Sequence, residues 1–210
     1  MHDPLHIAEQ VIALILALTL HEFAHAWMGH YLGDTTAKDQ GRLTLNPLSH
    51  IDPIATLALP LLLILVGSPV VFAAAKPVPF NPWAVRGGRW GAALVAMAGP
   101  FTNLVLAVFF AMCLNFLPLA PIAQDFFFAI VMVNIGLFVF NMIPFPPLDG
   151  SRLLYAMAPE GLRDVMDRIE QAGFVVLMAV MLLGYQFIAP MVGTVIVAIV
   201  RLLVPASAGL

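Results

Sequence analysis

An apolar run from Ile7 to Trp27 is long enough to cross a bilayer as one helix, and near its end it carries His21-Glu22-Phe23-Ala24-His25. Ionisable side chains are costly at membrane depth, so such a cluster points to a site rather than to solvation. Positions four apart share a helix face, so His21 and His25 project side by side and can both reach one metal ion. Glu22, one residue on, can reach a water on that ion without itself binding the metal. Two imidazole ligands and an adjacent carboxylate are suited to activating water. The same groups could instead be hydrogen-bonded into a helical bundle. A third ligand elsewhere in the chain decides between the two readings.

Composition agrees with a membrane setting. Of the 210 residues, 61% are hydrophobic and only 10% charged, where soluble domains average about 25% charged. Mean hydropathy is +0.97. A formal net charge of −3 gives no footing for nucleic acid. The one cysteine, Cys113, cannot form an internal disulfide and reads as a small buried hydrophobe. The opening Met-His-Asp-Pro-Leu-His has no basic segment and no small-residue cleavage site, so the first run is expected to be retained as a helix. With no repeat and no stretch resembling a soluble module, residues 1–210 read as a single membrane-embedded domain. Its core spans about 5–155, and a C-terminal helical pair spans about 163–204.

The expected fold is an all-α polytopic membrane protein. Long apolar runs at about Pro4–Met28, Pro53–Ala75, Trp90–Leu117, Ile122–Ile143 and Phe174–Val204 each reach spanning length. The last is too long for one crossing, and Gly184-Tyr185-Gln186 with Pro190 divides it into helices at roughly 163–184 and 187–204. Gly67-Ser68-Pro69 breaks the second run into a re-entrant hairpin at 53–75, which would otherwise be a sixth crossing beside about five full ones. With that hairpin, all nine basic residues, from Lys38 to Arg201, fall on one side. By the positive-inside rule that side is the cytoplasm. Short extended or β segments are expected there, at Thr35–Asn46 and Phe72–Asn81.

This topology makes a demand. His21 and His25 lie near the cytoplasmic end of the first helix, and the helix at 122–143 runs in the same direction, so a third ligand belongs at its C-terminal end. That end reads Asn141-Met-Ile-Pro144-Phe-Pro146-Pro147-Leu-Asp149-Gly150. The prolines are expected to leave an extended chain, and Gly150 to permit a tight turn. Asp149 would complete a His-His-Asp set with a position open for water; otherwise it caps the next helix or pairs with Arg152.

The two segments together resemble those of the site-2 protease family of intramembrane zinc metalloproteases, peptidase family M50. That family carries HExxH on one helix and Asn-x-x-Pro…Leu-Asp-Gly on another, here His21–His25 and Asn141–Gly150. Gly99-Pro100-Phe101-Thr102-Asn103 resembles its Gly-Pro-x-x-Asn segment. The chain looks like a short member without PDZ or CBS domain, the likeness covering roughly residues 5–155.

The resemblance implies one Zn2+ per chain on His21, His25 and Asp149, with Glu22 taking the proton of the attacking water and passing it to the leaving amine. Asn141 is implied as a donor to the developing oxyanion, the alternative being a helix-packing hydrogen bond. Gly99-Pro100 is read as a kink, with Asn103 satisfying freed backbone groups or packing near the site. Family members bind substrate by strand addition, which implies an edge at Ala74, Ala75, Lys76 and Pro77, although an ordinary interfacial loop is the other reading. His50, with Asp52 at the mouth of the hairpin, is a candidate for a gating or supporting role. His30 points away from the cluster, and Gly161–Gln171 reads as a solvated interfacial turn.

The function expected is intramembrane endoproteolysis of transmembrane protein substrates within the lipid bilayer, with no nucleic-acid partner. The setting expected is a bacterial inner membrane, with the site towards the cytoplasm. A metal-binding membrane protein without hydrolysis, a transporter or sensor, is the alternative; Glu22 separates the two, since a transporter has no use for a base beside its ligands.

Overall fold

The computed structural model describes residues 4–58, 62 and 75–204. Among these, the α-helices are α1 (Pro4–Tyr31), α2 (Thr36–Asp39), α3 (Gly88–Phe116), α4 (Pro121–Asn141), α5 (Gly150–Met157) and α6 (Glu160–Leu203), with a 3-10 turn at Pro47–Ser49 and a π-helical turn at Pro53–Ala58.

Helices α1, α3 and α4 pack on one another and form the heart of the bundle. Their contact faces are built from small residues. On α1, Ala13, Ala17 and His21 are buried at four-residue spacing. On α3, the buried face runs through Ala92, Ala96, Gly99, Asn103, Ala107 and Ala111. Small side chains let helices approach closely where the surrounding medium supplies no hydrophobic drive. The ridge that packs α1 against its neighbours therefore continues into the two histidines and delivers them to the bundle centre. The outward faces are apolar instead: Leu16, Trp27, Phe101, Val105, Phe109, Leu183 and Phe187 are all exposed. A continuous apolar exterior of this kind suits lipid, not water.

Four helices among the described residues are long and apolar enough to cross a membrane: Leu5–Tyr31, Gly88–Phe116, Pro121–Asn141 and Val175–Leu203. About five were expected, and the difference lies in the last apolar run. It does not divide at Gly184–Gln186 and Pro190, because α6 passes through both, and its break falls at Gly173, where φ is 61° and ψ −142°. Only glycine adopts that backbone readily, whereas a membrane helix tolerates the loss of one N–H at a proline. The expected pair 163–184 and 187–204 is thus one helix broken at Gly173, with one candidate span at Val175–Leu203. Gly161–Gln171, expected as a turn, is helical and anchored: Arg152 pairs with Glu170, the Tyr155 hydroxyl donates to Asp167 (3.2 Å), and the Arg163 guanidinium donates to the Ala158 carbonyl (3.0 Å).

A single final candidate span moves Arg201. The Leu203 carbonyl accepts from the Asn115 amide at 2.7 Å, near the end of α3, so Arg201 lies at the opposite end of the bundle from the loops that follow α1 and α4. The expectation of all basic residues on one side fails at that position. Lys38, Arg42, Lys76, Arg86, Arg89, Arg152, Arg163 and Arg168 all sit at the end where α1 and α4 finish.

The hairpin expected at 53–75 lies largely outside the described residues. The chain on either side of it meets: the Lys76 N–H donates to the His50 carbonyl at 2.9 Å. No β-strand occurs among the described residues. Thr35–Asn46 folds into α2 and bends, and the chain from Lys76 to Phe80 follows no regular element. Pro77 and Pro79 remove the N–H at alternate positions, so one edge of this segment cannot donate to a ladder.

Candidate metal centre

The ends of α1 and α4 lie at the same level, and the loop after α4 carries Asp149 onto the two histidines. His21 Nε2 and His25 Nε2 are 3.0 Å apart. Asp149 Oδ2 lies 3.2 Å from the first and 3.4 Å from the second. The imidazole planes are nearly perpendicular, at 85°, and one nitrogen of each lies close to the Asp149 oxygen. Zinc–ligand bonds of about 2.0–2.1 Å in a tetrahedron place ligand atoms about 3.3 Å apart. The observed triangle has those edges.

Hydrogen bonds behind the rings test whether a cation fits. His21 Nδ1 meets Asn103 Oδ1 at 2.6 Å, and His25 Nδ1 meets the Val95 carbonyl at 2.8 Å. Both partners are acceptors, so in the neutral rings both Nδ1 atoms carry the proton and both Nε2 lone pairs face inward. Two lone pairs and a carboxylate converging in a buried space repel one another unless a cation lies between them. The donor set fits a zinc ion.

The bland alternatives for Asp149 do not hold. Its side chain makes no capping bond to α5, and Arg152 is engaged with Glu170. Leu148, beside it, is buried against Leu177 and Met181 of α6, which fixes the loop. Gly150 lies in a tight turn, as expected, closed by the Ser151 N–H on the Leu148 carbonyl, and packing gives a further reason for the glycine. It has no left-handed backbone and starts α5; a Cβ there would lie 2.5 Å from the Met142 carbonyl oxygen and 2.9 Å from that of Asn141. The loop before it is likewise not extended but a chain of turns, with Leu148 N–H on the Phe145 carbonyl and Ser151 N–H on that of Leu148.

Glu22 is 8% exposed, and its Oε2 accepts the Val78 N–H at 3.0 Å. The segment carrying Val78 is pinned along its length. Lys76 donates to His50, and its own carbonyl accepts from Arg42 at 2.6 Å. The Asn81 N–H donates to Asp34 at 2.8 Å. Burial raises the Asp34 carboxyl, and hydrogen bonds from the Thr36 hydroxyl, Asn81 N–H and Thr36 N–H lower it further than that, to below its ordinary value.

The segment bearing Asp149 lies in a recognised stretch: the model of peptidase family M50 matches residues 118–184. A Bacillus subtilis (strain 168) protein named "Putative zinc metalloprotease YwhC" is 41% identical over 192 residues, covering 86% of this chain and 84% of that one. The chain belongs to peptidase family M50. A second relative, "Putative zinc metalloprotease Rip2" of Mycolicibacterium smegmatis, is 29% identical over 171 residues, covering 80% of this chain and 64% of its own. A third, "Putative zinc metalloprotease MJ0611" of Methanocaldococcus jannaschii, is 43% identical over a shorter stretch of 63 residues. No solved structure matches the chain significantly.

In this M50 chain, His21, His25 and Asp149 come together as expected and Asn103 stands directly behind His21. The Asn141 amide donates to the Leu137 carbonyl at 3.0 Å, which leaves one further N–H. The His50 ring bonds the Thr44 carbonyl at 2.8 Å, so its link to the centre runs through its own carbonyl and Lys76. Ala74 lies outside the described residues, and Ala75, Lys76 and Pro77 lead into the segment over Glu22.

Several contributors were not foreseen. The Val95 carbonyl and the Val78 N–H are backbone groups, for which a side-chain pattern holds no signal. Gly99 and Pro100 lie inside α3. A Cβ at Gly99 would lie 2.6 Å from His21 Cε1 and would also collide with the His25 ring. Its value is the close approach of α3 to both imidazoles. Gly99→Ala should therefore displace the imidazoles and weaken zinc binding at least about 10-fold, while the helix itself gains propensity. Chelator competition on the folded variant checks this, and an unchanged affinity would remove the assigned reason for the glycine.

Proposed function

We propose that this M50 member is an intramembrane zinc endopeptidase that hydrolyses peptide bonds in or next to transmembrane segments of membrane proteins. The observation that carries the reading is the His21–His25–Asp149 triangle with Glu22 beside it, set at one end of membrane-length helices. Zinc bound there supplies Lewis acidity, bringing the pKa of its water to about 7. Glu22 accepts the proton of the attacking water and hands it to the leaving amine. The free N–H of Asn141 is the side-chain donor proposed for the scissile carbonyl oxygen as negative charge develops.

The substrate has to arrive extended, since a helix hides its carbonyls in its own hydrogen bonds. That Val78 presents its N–H to Glu22 supports this, because it is a non-helical backbone lying against the base. Lys76 uses its N–H and carbonyl internally, so the edge proposed for a substrate strand consists of groups on Ala75 and Pro77. The re-entrant course of 53–75 is also proposed, supported by the meeting of His50 and Lys76 at one end of the bundle. That end carries every basic residue but Arg201, so it is assigned to the cytoplasm, in a bacterial cell membrane.

Single-span reporter proteins incubated with the purified chain in detergent test this reading when products are mapped by mass spectrometry. Cleavage is expected in the cytoplasmic part of the reporter span or just beyond it. Cuts confined to soluble tails, or zinc bound with no cut in any reporter, would favour a non-hydrolytic metal protein or a different substrate class.

A further inference from the structure

Behind the metal ligands lies a polar chain that runs against the apolar character of the bundle. Asn103 is wholly buried and Asn134, on α4, is 1% exposed. Buried amides at this depth are costly unless every bond is made. The bonds form a sequence: Asn134 Nδ2 donates to the Ile130 carbonyl (2.8 Å), Asn103 Nδ2 donates to Asn134 Oδ1 (2.9 Å), and Asn103 Oδ1 faces His21 Nδ1 (2.6 Å). We infer that Asn134, which touches neither the metal ligands nor a substrate, is a positioning residue of the metal centre: it fixes which end of the Asn103 amide meets His21, and so which nitrogen of His21 faces the metal.

The direction of each bond follows from its starting point. A backbone carbonyl only accepts, so Ile130 obliges Asn134 to turn its NH2 towards it and its oxygen towards Asn103. That oxygen obliges Asn103 to present its NH2 in turn, a choice the Ala17 carbonyl supports only weakly at 3.4 Å. Asn103 then has only its oxygen left for His21, which must donate from Nδ1 and keep the Nε2 lone pair facing inward. A flipped Asn103 would present NH2 instead and stabilise the tautomer protonated at Nε2, which cannot bind metal.

His25 shows why only one ligand needs such a chain. Its Nδ1 partner is the Val95 carbonyl, a backbone group that cannot flip. His21 leans on an amide, which has two different ends, and Asn134 removes the ambiguity. A plain interhelical bond between α3 and α4 would serve packing equally well in either orientation.

The inference rests on His21 being a metal ligand, and the test separates the two. In the full chain in detergent, Asn134→Leu should weaken zinc about 10- to 100-fold, the size seen when a ligand loses its supporting partner. In the metal-free protein, 15N NMR should show His21 shifting from Nδ1–H towards Nε2–H. Asn134→Asp should retain the wild-type tautomer, since a carboxyl group there still accepts from Asn103. In an Asn103→Asp background the His21 partner accepts from either end, so adding Asn134→Leu should change neither tautomer nor affinity; this pair stays informative if the single Leu variant misfolds. An unchanged tautomer and zinc affinity within about twofold in folded Asn134→Leu would overturn the inference, as would an equal loss in the Asn103→Asp background. His21→Ala without effect on zinc would instead sink the ligand assignment itself.

Discussion

Glu22→Gln should leave zinc bound at the wild-type level while peptide hydrolysis falls by about 10²–10⁴-fold, the range for loss of a general base. The substitution is close to isosteric, and its side-chain carbonyl can still accept the Val78 N–H that the carboxylate accepts now. Glu22 is not one of the three groups whose ligand atoms converge, so metal affinity has no reason to change. What the amide cannot do is take a proton. Cleavage of a reporter span, read beside zinc content by elemental analysis, separates the two effects. Retained hydrolysis would show that the base lies elsewhere, and lost zinc would make Glu22 a ligand.

Asp149→Ala should do the reverse and strip the metal. Loss of a group that merely supports a ligand costs about 10- to 100-fold in affinity, and Asp149 supplies both one of the three donors and the only negative charge among them. A fall of more than about 100-fold is expected, with hydrolysis lost in parallel. The fold should survive. Asp149 makes no cap to α5, and the buried Leu148 still packs against Leu177 and Met181. Near-normal zinc binding in the variant would require a different third ligand.

Most of the centre was legible because its chemistry is expensive where it sits. A four-residue histidine spacing in a membrane-length run has few structural excuses, and the direction of two helices leads to the carboxylate that lies against the pair. The same expense would have exposed Asn134, an amide in the middle of the apolar run of α4. Topology was less legible. Pro190 and Gly184 look like breakers, but a membrane helix continued through both, and the true break depended on a left-handed backbone at Gly173 that composition does not announce. The Arg201 assignment fell with it. Gly99 and Gly150 carry a role that was not legible: another group lies where the Cβ of each would be. Such approaches are properties of packed pairs of elements, which one sequence position cannot reveal. The prolines at 77 and 79 point the same way, since their missing donors were visible but the segment's place over Glu22 was not.

Zinc titration into metal-stripped, full-length protein, with reporter cleavage followed at each addition, tests the central claim most directly. Hydrolysis should rise linearly and level off at one zinc per chain, the wild type reaching full rate, Glu22→Gln binding the same amount without cleaving, and Asp149→Ala failing to load at the same free zinc. Full hydrolysis by the stripped protein, or a wild type that stays folded yet takes up no zinc, would contradict a zinc peptidase centre built on His21, His25 and Asp149.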